Sequence, residues 1–217
     1  MMMESNELKG GSVTLPPCQL KAWDGFVIPD HETKPDRRPA HWMGAEQEIR
    51  KHVESFGVCV QAGGNWGYWP YYLAEMFDTV YTFEPDPRCF TALAINTSSK
   101  DNVVKLQAAV GVAKGLVDLE RDADTTGNQS VKPGGIFPTL AIDDLGLESC
   151  DLIYLDVEGK EKDAIFGATS TIAEFRPIVA YEHTGKYDSA NETEKALAWH
   201  HYKRLGMSGR DVFMGPK

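Results

Sequence analysis

Apolar runs and amphipathic stretches alternate along most of the chain. Residues 58–62, 79–83, 103–109, 152–157 and 177–182 read as principal strands, and the run Leu152-Ile153-Tyr154-Leu155 is apolar on both faces. Between and around them, residues 46–55, 66–77, 87–97, 161–175 and 192–205 read as helices, the last ended by Gly206. Pro70 and Pro87 fall in first turns, where a backbone N–H has no helical partner to lose. Residues 115–120 alternate as a half-exposed strand, and Asp211-Val212-Phe213-Met214 is placed to close the sheet. Residues 121–138 are polar and glycine-rich and read as a loop. Strands alternating with helices imply βαβ units and a mostly parallel, twisted sheet. Apolar strands imply helices on both faces. The expected fold class is therefore α/β, Rossmann-like, with ligands bound where the strands end.

Before residue 46 the pattern changes. Residues 1–45 are rich in proline and glycine and read as an N-terminal arm, with residues 46–217 as the domain proper. Trp23 and Phe26 offer aromatic anchors. Packing on the domain is the favoured role for them, and a lid over the site is the alternative.

Composition narrows the function. A chain of 217 residues with 42% hydrophobic and 25% charged residues suits a globular domain. A formal charge of −10 disfavours nucleic acid and anionic membranes as partners. The N-terminus lacks the basic and apolar regions of a signal peptide, and no run is long enough to span a membrane. Cys18, Cys59, Cys89 and Cys150 form no CxxC pair. Reduced thiols in a cytoplasmic protein are the expectation, so Asn-x-Ser/Thr sequences such as Asn191-Glu192-Thr193 carry no weight.

The candidate chemistry sits where strands end. After the first principal strand comes Gln61-Ala62-Gly63-Gly64-Asn65-Trp66-Gly67, in which glycines permit a sharp turn and close approach to a ligand. The second strand ends in Phe83-Glu84-Pro85, with Glu84 placed 21 residues after Gly63. An acid at that spacing accepts ribose hydroxyls, and its two oxygens match a cis-diol. The loop lacks the third glycine of the pyrophosphate fingerprint, because position 68 is Tyr, and there is no G-x-x-x-x-G-K-S/T motif. S-adenosylmethionine (SAM), which has ribose and adenine but no phosphate, suits such a loop.

In these motifs the chain resembles the FkbM-type SAM-dependent methyltransferases, which are class I enzymes. Their first motif reads like D-V-G-A-N-x-G and is followed by a strand ending F-E-P. The resemblance continues through Ala109 and Gly115, then Ile142-Asp143-Asp144-Leu145, and then the hallmark Leu155-Asp156-Val157-Glu158-Gly159 followed by Glu161 and Gly167-Ala168. It covers about residues 53–185. The Gln-Ala-Gly-Gly-Asn form of the first motif resembles phage-encoded relatives, which implies a viral source and the host cytoplasm as an expectation.

The resemblance implies a class I methyltransferase fold with SAM as cofactor. It implies Gln61, Gly63, Asn65, Gly67, Glu84, Ala109 and Asp156 as the cofactor-binding set, with the Ala108-Ala109 region lining the adenine. Asp143 or Asp144 would help to close the site. One departure is Gln61, where the family has an acid. Glutamine keeps hydrogen-bonding capacity but loses the charge, so a SAM-binding relative without activity stays open as an alternative.

A sulfonium methyl is already activated, so the protein has mainly to align the acceptor and, for a hydroxyl, take its proton. Asp156, Glu158 and His183 are the candidates for that base, although His183 can equally be a strand cap. These three follow no ligand-spacing signature, and no metal is assigned. His200 and His201 read as a helix face, since adjacent helical residues point apart. A small-molecule or glycan O-methyltransferase is the leading expectation. A nucleic-acid methyltransferase is disfavoured by the charge and by Asp156-Val157-Glu158-Gly159 standing where amino-methylating enzymes carry Asn/Asp-Pro-Pro-aromatic. Acceptor recognition is expected from the arm, residues 121–138 and residues 184–191.

Overall fold

The computed structural model describes residues 19–35, 38–120, 126, 130–183 and 189–217. A hairpin of β1 (Leu20–Trp23) and β2 (Phe26–Pro29) leads to helix α1 (Arg38–His52). Five parallel strands form the frame: β3 (Val58–Ala62), β4 (Thr79–Phe83), β5 (Val103–Leu106), β10 (Leu152–Leu155) and β11 (Ile178–Glu182). Two further strands, β12 (Tyr202–Ser208) and β13 (Asp211–Pro216), are antiparallel to each other, and β13 is antiparallel to β11. The order across the sheet is β12-β13-β11-β10-β3-β4-β5. The order reverses beside β3, which is where an open α/β sheet leaves a crevice at its carboxyl edge. The expected doubly covered α/β architecture is present.

Side-chain alternation assigns the two faces. Val60, Ala62, Ile153, Leu155, Val179 and Tyr181 point to one core. That core is completed by α4 (Glu161–Phe166), α5 (Thr169–Phe175) and α6 (Ser189–Trp199). Cys59, Tyr154, Ala180 and Phe213 point to the other, against α1, α2 (Tyr68–Leu73) and the hairpin. Each fully buried aliphatic side chain contributes about 1.5–3 kcal/mol, so a four-residue strand such as β10, buried on both faces, is a major source of stability.

Several elements depart from the sequence expectation. Helix α1 starts at Arg38, well before residue 46. Trp42, Ala45 and Ile49 recur on one helical face and are buried. His41 Nε2 lies 2.7 Å from Asp211 Oδ2, which also accepts the Tyr154 hydroxyl, so the extra turns are tied to the sheet. The helix expected at 161–175 divides into α4 and α5 at Gly167 and Ala168, and position 167 must be glycine because a Cβ there would stand 2.0 Å from the carbonyl oxygen of Gly111. Asp143 caps α5 by accepting the N–H groups of Ser170 and Thr171, both at 2.9 Å. The helix expected at 192–205 ends at Trp199. His201 turns the chain with φ +59°, and 202–208 is the edge strand β12. Its first residue, Tyr202, is buried and donates its hydroxyl to the carbonyl of Pro177 at 2.7 Å. The His200-His201 pair therefore lies at a chain reversal rather than along a helix.

The strand expected over 103–109 also divides. The chain leaves the large sheet after Leu106 and resumes as β6 (Ala109–Val110) in a second sheet. That sheet pairs β6 with β9 (Phe137–Leu140), β9 with β7 (Gly115–Glu120), and β7 with β8 (Ser130–Pro133). Strands β8 and β9 thus occupy part of the expected loop at 121–138.

The hairpin is fastened to α3 (Pro87–Asn96) through one side chain. Asn96 accepts the N–H of Val27 at 2.7 Å and donates to the carbonyls of Val27 (2.7 Å) and Trp66 (2.6 Å). Phe26 and Trp23 pack edge-on against Trp66, with centroids 5.5 and 5.8 Å away. Asn96→Ala is expected to lower unfolding free energy by about 1–3 kcal/mol, since it strands buried backbone groups. Urea denaturation measures that loss, and limited proteolysis should show faster cleavage in 19–35.

Candidate functional site

The carboxyl edges of β3, β4 and β10 meet at one cavity. It is lined by Gly63 and Asn65 after β3, Glu84 after β4, Asp156 and Glu158 after β10, Ala108 to Val110, and Leu119 and Val131 from the second sheet. The space it encloses, its open mouth included, is about 660 Å³.

Backbone geometry builds the glycine turn. The N–H groups of Gly63 and Gly64 both donate to the carbonyl of Phe83, at 3.1 and 2.8 Å, so the loop folds back over the end of β4. Gly63 has φ +86°, and a Cβ on it would stand 1.9 Å from the carbonyl oxygen of Asp156. Asn65 also adopts the left-handed region, φ +48°, which Asn tolerates better than most residues. This conformation aims the Asn65 N–H at Glu84 Oε2, 2.7 Å away, while the Asp86 N–H reaches Oε1 at 2.8 Å. Each carboxylate oxygen keeps a lone pair for a further donor. Burial pushes the Glu84 carboxyl up to about 7, against the opposing pull of the Asp86 and Asn65 N–H groups. The charges of Asp86 and Asp156 add to the rise.

The other end of the cavity is acidic. Asp156, Glu158 and Glu182 each bring a carboxylate oxygen within 4.8 Å of the others. Glu158 and Gly159 have φ +48° and +90°, so the hallmark segment turns in the left-handed region. Burial, the charges of Asp156 and Glu158, a hydrogen bond with Asp156 and the charge of Asp211 hold Glu182 above the usual carboxylate range. Such carboxyl groups share protons rather than ionise together. An all-oxygen set is also the donor chemistry of a hard divalent cation.

The sequence-derived candidates separate into three groups. Gly63, Asn65, Glu84, Ala109, Asp156 and Glu158 line the cavity. Gln61 and Gly67 are not among its lining residues. Gln61 is buried behind the wall, where its Oε1 accepts the Thr82 hydroxyl at 2.5 Å, and its Nε2 has no hydrogen-bond partner among the described residues. Gly67 caps the start of α2 with φ +93°, and a Cβ on it would stand 3.0 Å from the Cα of Leu93 in α3. His183 is exposed, and its backbone N–H donates to the carbonyl of Arg210 at 2.8 Å. Its neighbour Glu182 takes the place beside Asp156 and Glu158. Asp143 and Asp144 serve the α5 cap and the Ala141 N–H, away from the cavity. Glu182, Lys160, Leu119, Val131 and Thr126 went unnoticed in the sequence. Only Glu182 had a signal there, its position at the end of an apolar strand.

Comparison with known proteins follows this geometry. Residues 55–205 match a family model described as Methyltransferase FkbM domain. A 2-O-methyltransferase, NoeI, of Sinorhizobium fredii (strain NBRC 101917 / NGR234) is 29% identical over 46% of this chain and 51% of its own length, so the chain spans about half of that curated relative. Among solved structures, the methyltransferase FkbM of Methylobacillus flagellatus KT matches with a TM-score of 0.50 and 17% identity, over 76% of this chain and 45% of that one. Aeropyrum pernix fibrillarin, solved with natively bound SAM, matches with a TM-score of 0.51 and 11% identity, over 92% and 82%. At these identities the solved structures establish the fold.

Were Glu84 to hold a ribose, as the sequence leads one to expect, its ionised carboxylate would be the acceptor. The free protein, with this carboxyl near 7, holds a proton below that pH which the ligand must displace. Affinity for S-adenosylhomocysteine should therefore fall as pH drops, by about tenfold from pH 8 to pH 6 for one proton. Calorimetry in buffers of different ionisation enthalpy measures the proton released. Glu84→Ala should sharply weaken binding and flatten the pH dependence.

Proposed function

We propose that this chain, which belongs to the FkbM methyltransferase family, methylates a hydroxyl group of a small acceptor, a sugar or another polyhydroxylated molecule. The family is one of methyltransferases, and in this reading the methyl donor is SAM. The single observation that carries the reading is the meeting at one cavity of the Gly63–Asn65–Glu84 corner with the carboxylates of Asp156 and Glu158, which Glu182 adjoins.

The cavity residues fit the donor. Glu84, pinned by two backbone N–H groups, keeps an acceptor site on each oxygen for a ribose diol. Ala108, Ala109, Val110 and Leu119 give an apolar wall suited to an adenine ring. The acidic end complements a cationic sulfonium. The donor brings a methyl group already activated toward nucleophiles. The remaining work falls to the protein: hold the acceptor oxygen in line, exclude water and accept a proton.

Asp156 and Glu182 take that last role in this reading. Burial first, and then the charges of Asp156 and Glu158, raise the proton affinity of Glu182, so its carboxylate form is a stronger base than an isolated carboxylate. Carboxylates also accept hydrogen bonds from vicinal hydroxyls, which supports a polyhydroxylated acceptor. The relative named for 2-O-methylation supports oxygen as the atom methylated. His183, exposed beside Glu182, is assigned no proton-transfer role.

Incubation with SAM and a panel of mono- and oligosaccharides, read by mass spectrometry, should yield an O-methylated sugar. A product methylated on nitrogen, or on nucleic acid, would overturn the acceptor class. Glu182→Gln and Asp156→Asn should each lower kcat by about 10²–10⁴. Glu182→Gln should leave S-adenosylhomocysteine affinity within about threefold, and His183→Ala should change kcat by less than about threefold, since a group that moves no proton contributes no acid–base rate factor.

A further inference from the structure

A further buried carboxylate lies outside this account. Glu32, on the segment between β2 and α1, is 2% exposed although it belongs to the N-terminal arm. Both of its oxygens are engaged. Oε1 accepts the N–H of Lys34 at 2.8 Å, and Oε2 accepts the N–H (3.2 Å) and hydroxyl (2.5 Å) of Thr126. Three donors converge on a group that only accepts, which is the arrangement a carboxylate satisfies best.

The turn that presents Glu32 is itself fixed. Its N–H donates to the carbonyl of Pro29 at 3.0 Å, and Lys21 Nζ donates to the carbonyls of Asp30 (2.9 Å) and Glu32 (2.7 Å). Upstream, Val27 is clamped by Asn96. Thr126 lies 94 residues away in sequence, is 5% exposed and lines the cavity. Its carbonyl accepts from Asn65 Nδ2 at 3.1 Å, and the Asn65 N–H donates to Glu84 at 2.7 Å. A continuous line of hydrogen bonds thus runs Glu32–Thr126–Asn65–Glu84, from the arm to the residue assigned to the ribose.

We propose that Glu32 is a positioning residue of the cofactor pocket: it holds Thr126 in the cavity wall against Asn65, and so makes the N-terminal arm a determinant of cofactor affinity. The inference rests on the reading of the cavity as the SAM site. Glu32 touches neither Asn65 nor Glu84 directly, so its effect is on binding and not on the methyl-transfer step.

The test is calorimetric titration with S-adenosylhomocysteine, together with steady-state kinetics, for the wild type, Glu32→Ala, Glu32→Gln and Thr126→Val. Glu32→Ala should weaken binding and raise KM for SAM by about tenfold to a hundredfold, the scale of losing a charge-assisted hydrogen bond. Its kcat should stay within about threefold, because no group at the reacting atoms is changed. Glu32→Gln keeps an acceptor for Thr126 and should restore most of the affinity. Thr126→Val, which removes the hydroxyl from the other end, should lose about threefold to tenfold, as for one hydrogen bond, and keeps the test available should Glu32→Ala fail to fold. Wild-type affinity in Glu32→Ala, or in Thr126→Val where Glu32→Ala is unfolded, would overturn the proposal. A fall in kcat with unchanged KM would do so as well. Failure of the wild type to bind S-adenosylhomocysteine would instead overturn the reading of the cavity.

Discussion

Everything at the site follows from how closely the ends of β3 and β10 approach each other. Their ladder continues past the strands, with the Asp156 N–H donating to the carbonyl of Ala62 at 3.0 Å. The next residue on β3 then lies so near the Asp156 carbonyl that only a glycine fits. One steric fact therefore sets two functional distances. It turns the chain at Gly63, so that Asn65 meets Glu84, and it brings the acidic tip of β10 to the same cavity.

The electrostatics follow from that crowding. Glu84, Asp156 and Glu158 line one cavity, with Glu182 beside the last two, and a buried carboxylate near another loses both hydration and neutral company. Glu84 and Glu182 respond by holding protons more tightly than an exposed acid does. The N–H groups aimed at Glu84 limit its rise, whereas Glu182 has mainly other acids for neighbours, with Arg210 Nη1 at 3.4 Å from its Oε1. A chemical difference between the two ends of the cavity results: a carboxylate pinned by N–H donors at one, and proton-sharing acids at the other.

The large sheet supplies the floor, but the walls come from elsewhere. Leu119 pairs with Val131 across β7 and β8, and both side chains reach the cavity. Thr126 also lines the cavity and is hydrogen-bonded to Glu32 of the arm. The arm is thus held both by the packing of Phe26 and Ile28 in the core and by the hydrogen bonds between the buried Glu32 carboxylate and Thr126.

The amino-acid sequence determined by itself the α/β class, the parallel strands and the corner from Gly63 to Glu84. These depend on local periodicity, glycine conformation and fixed spacing, all of which are short-range properties. The resemblance carried by Leu155-Asp156-Val157-Glu158-Gly159 pointed to the acidic tip for the same reason. Only the tertiary structure decided that Glu182 and not His183 joins that tip, because a strand end exposes successive side chains to opposite faces and the sequence does not say which face holds the site. It also decided that Gln61 and Gly67 lie behind the wall, that residues 202–208 form an edge strand, and that Glu32 reaches Thr126 across 94 residues. Each of these is a contact between segments with no local pattern in common, and such contacts exist only once the sheet has brought them together.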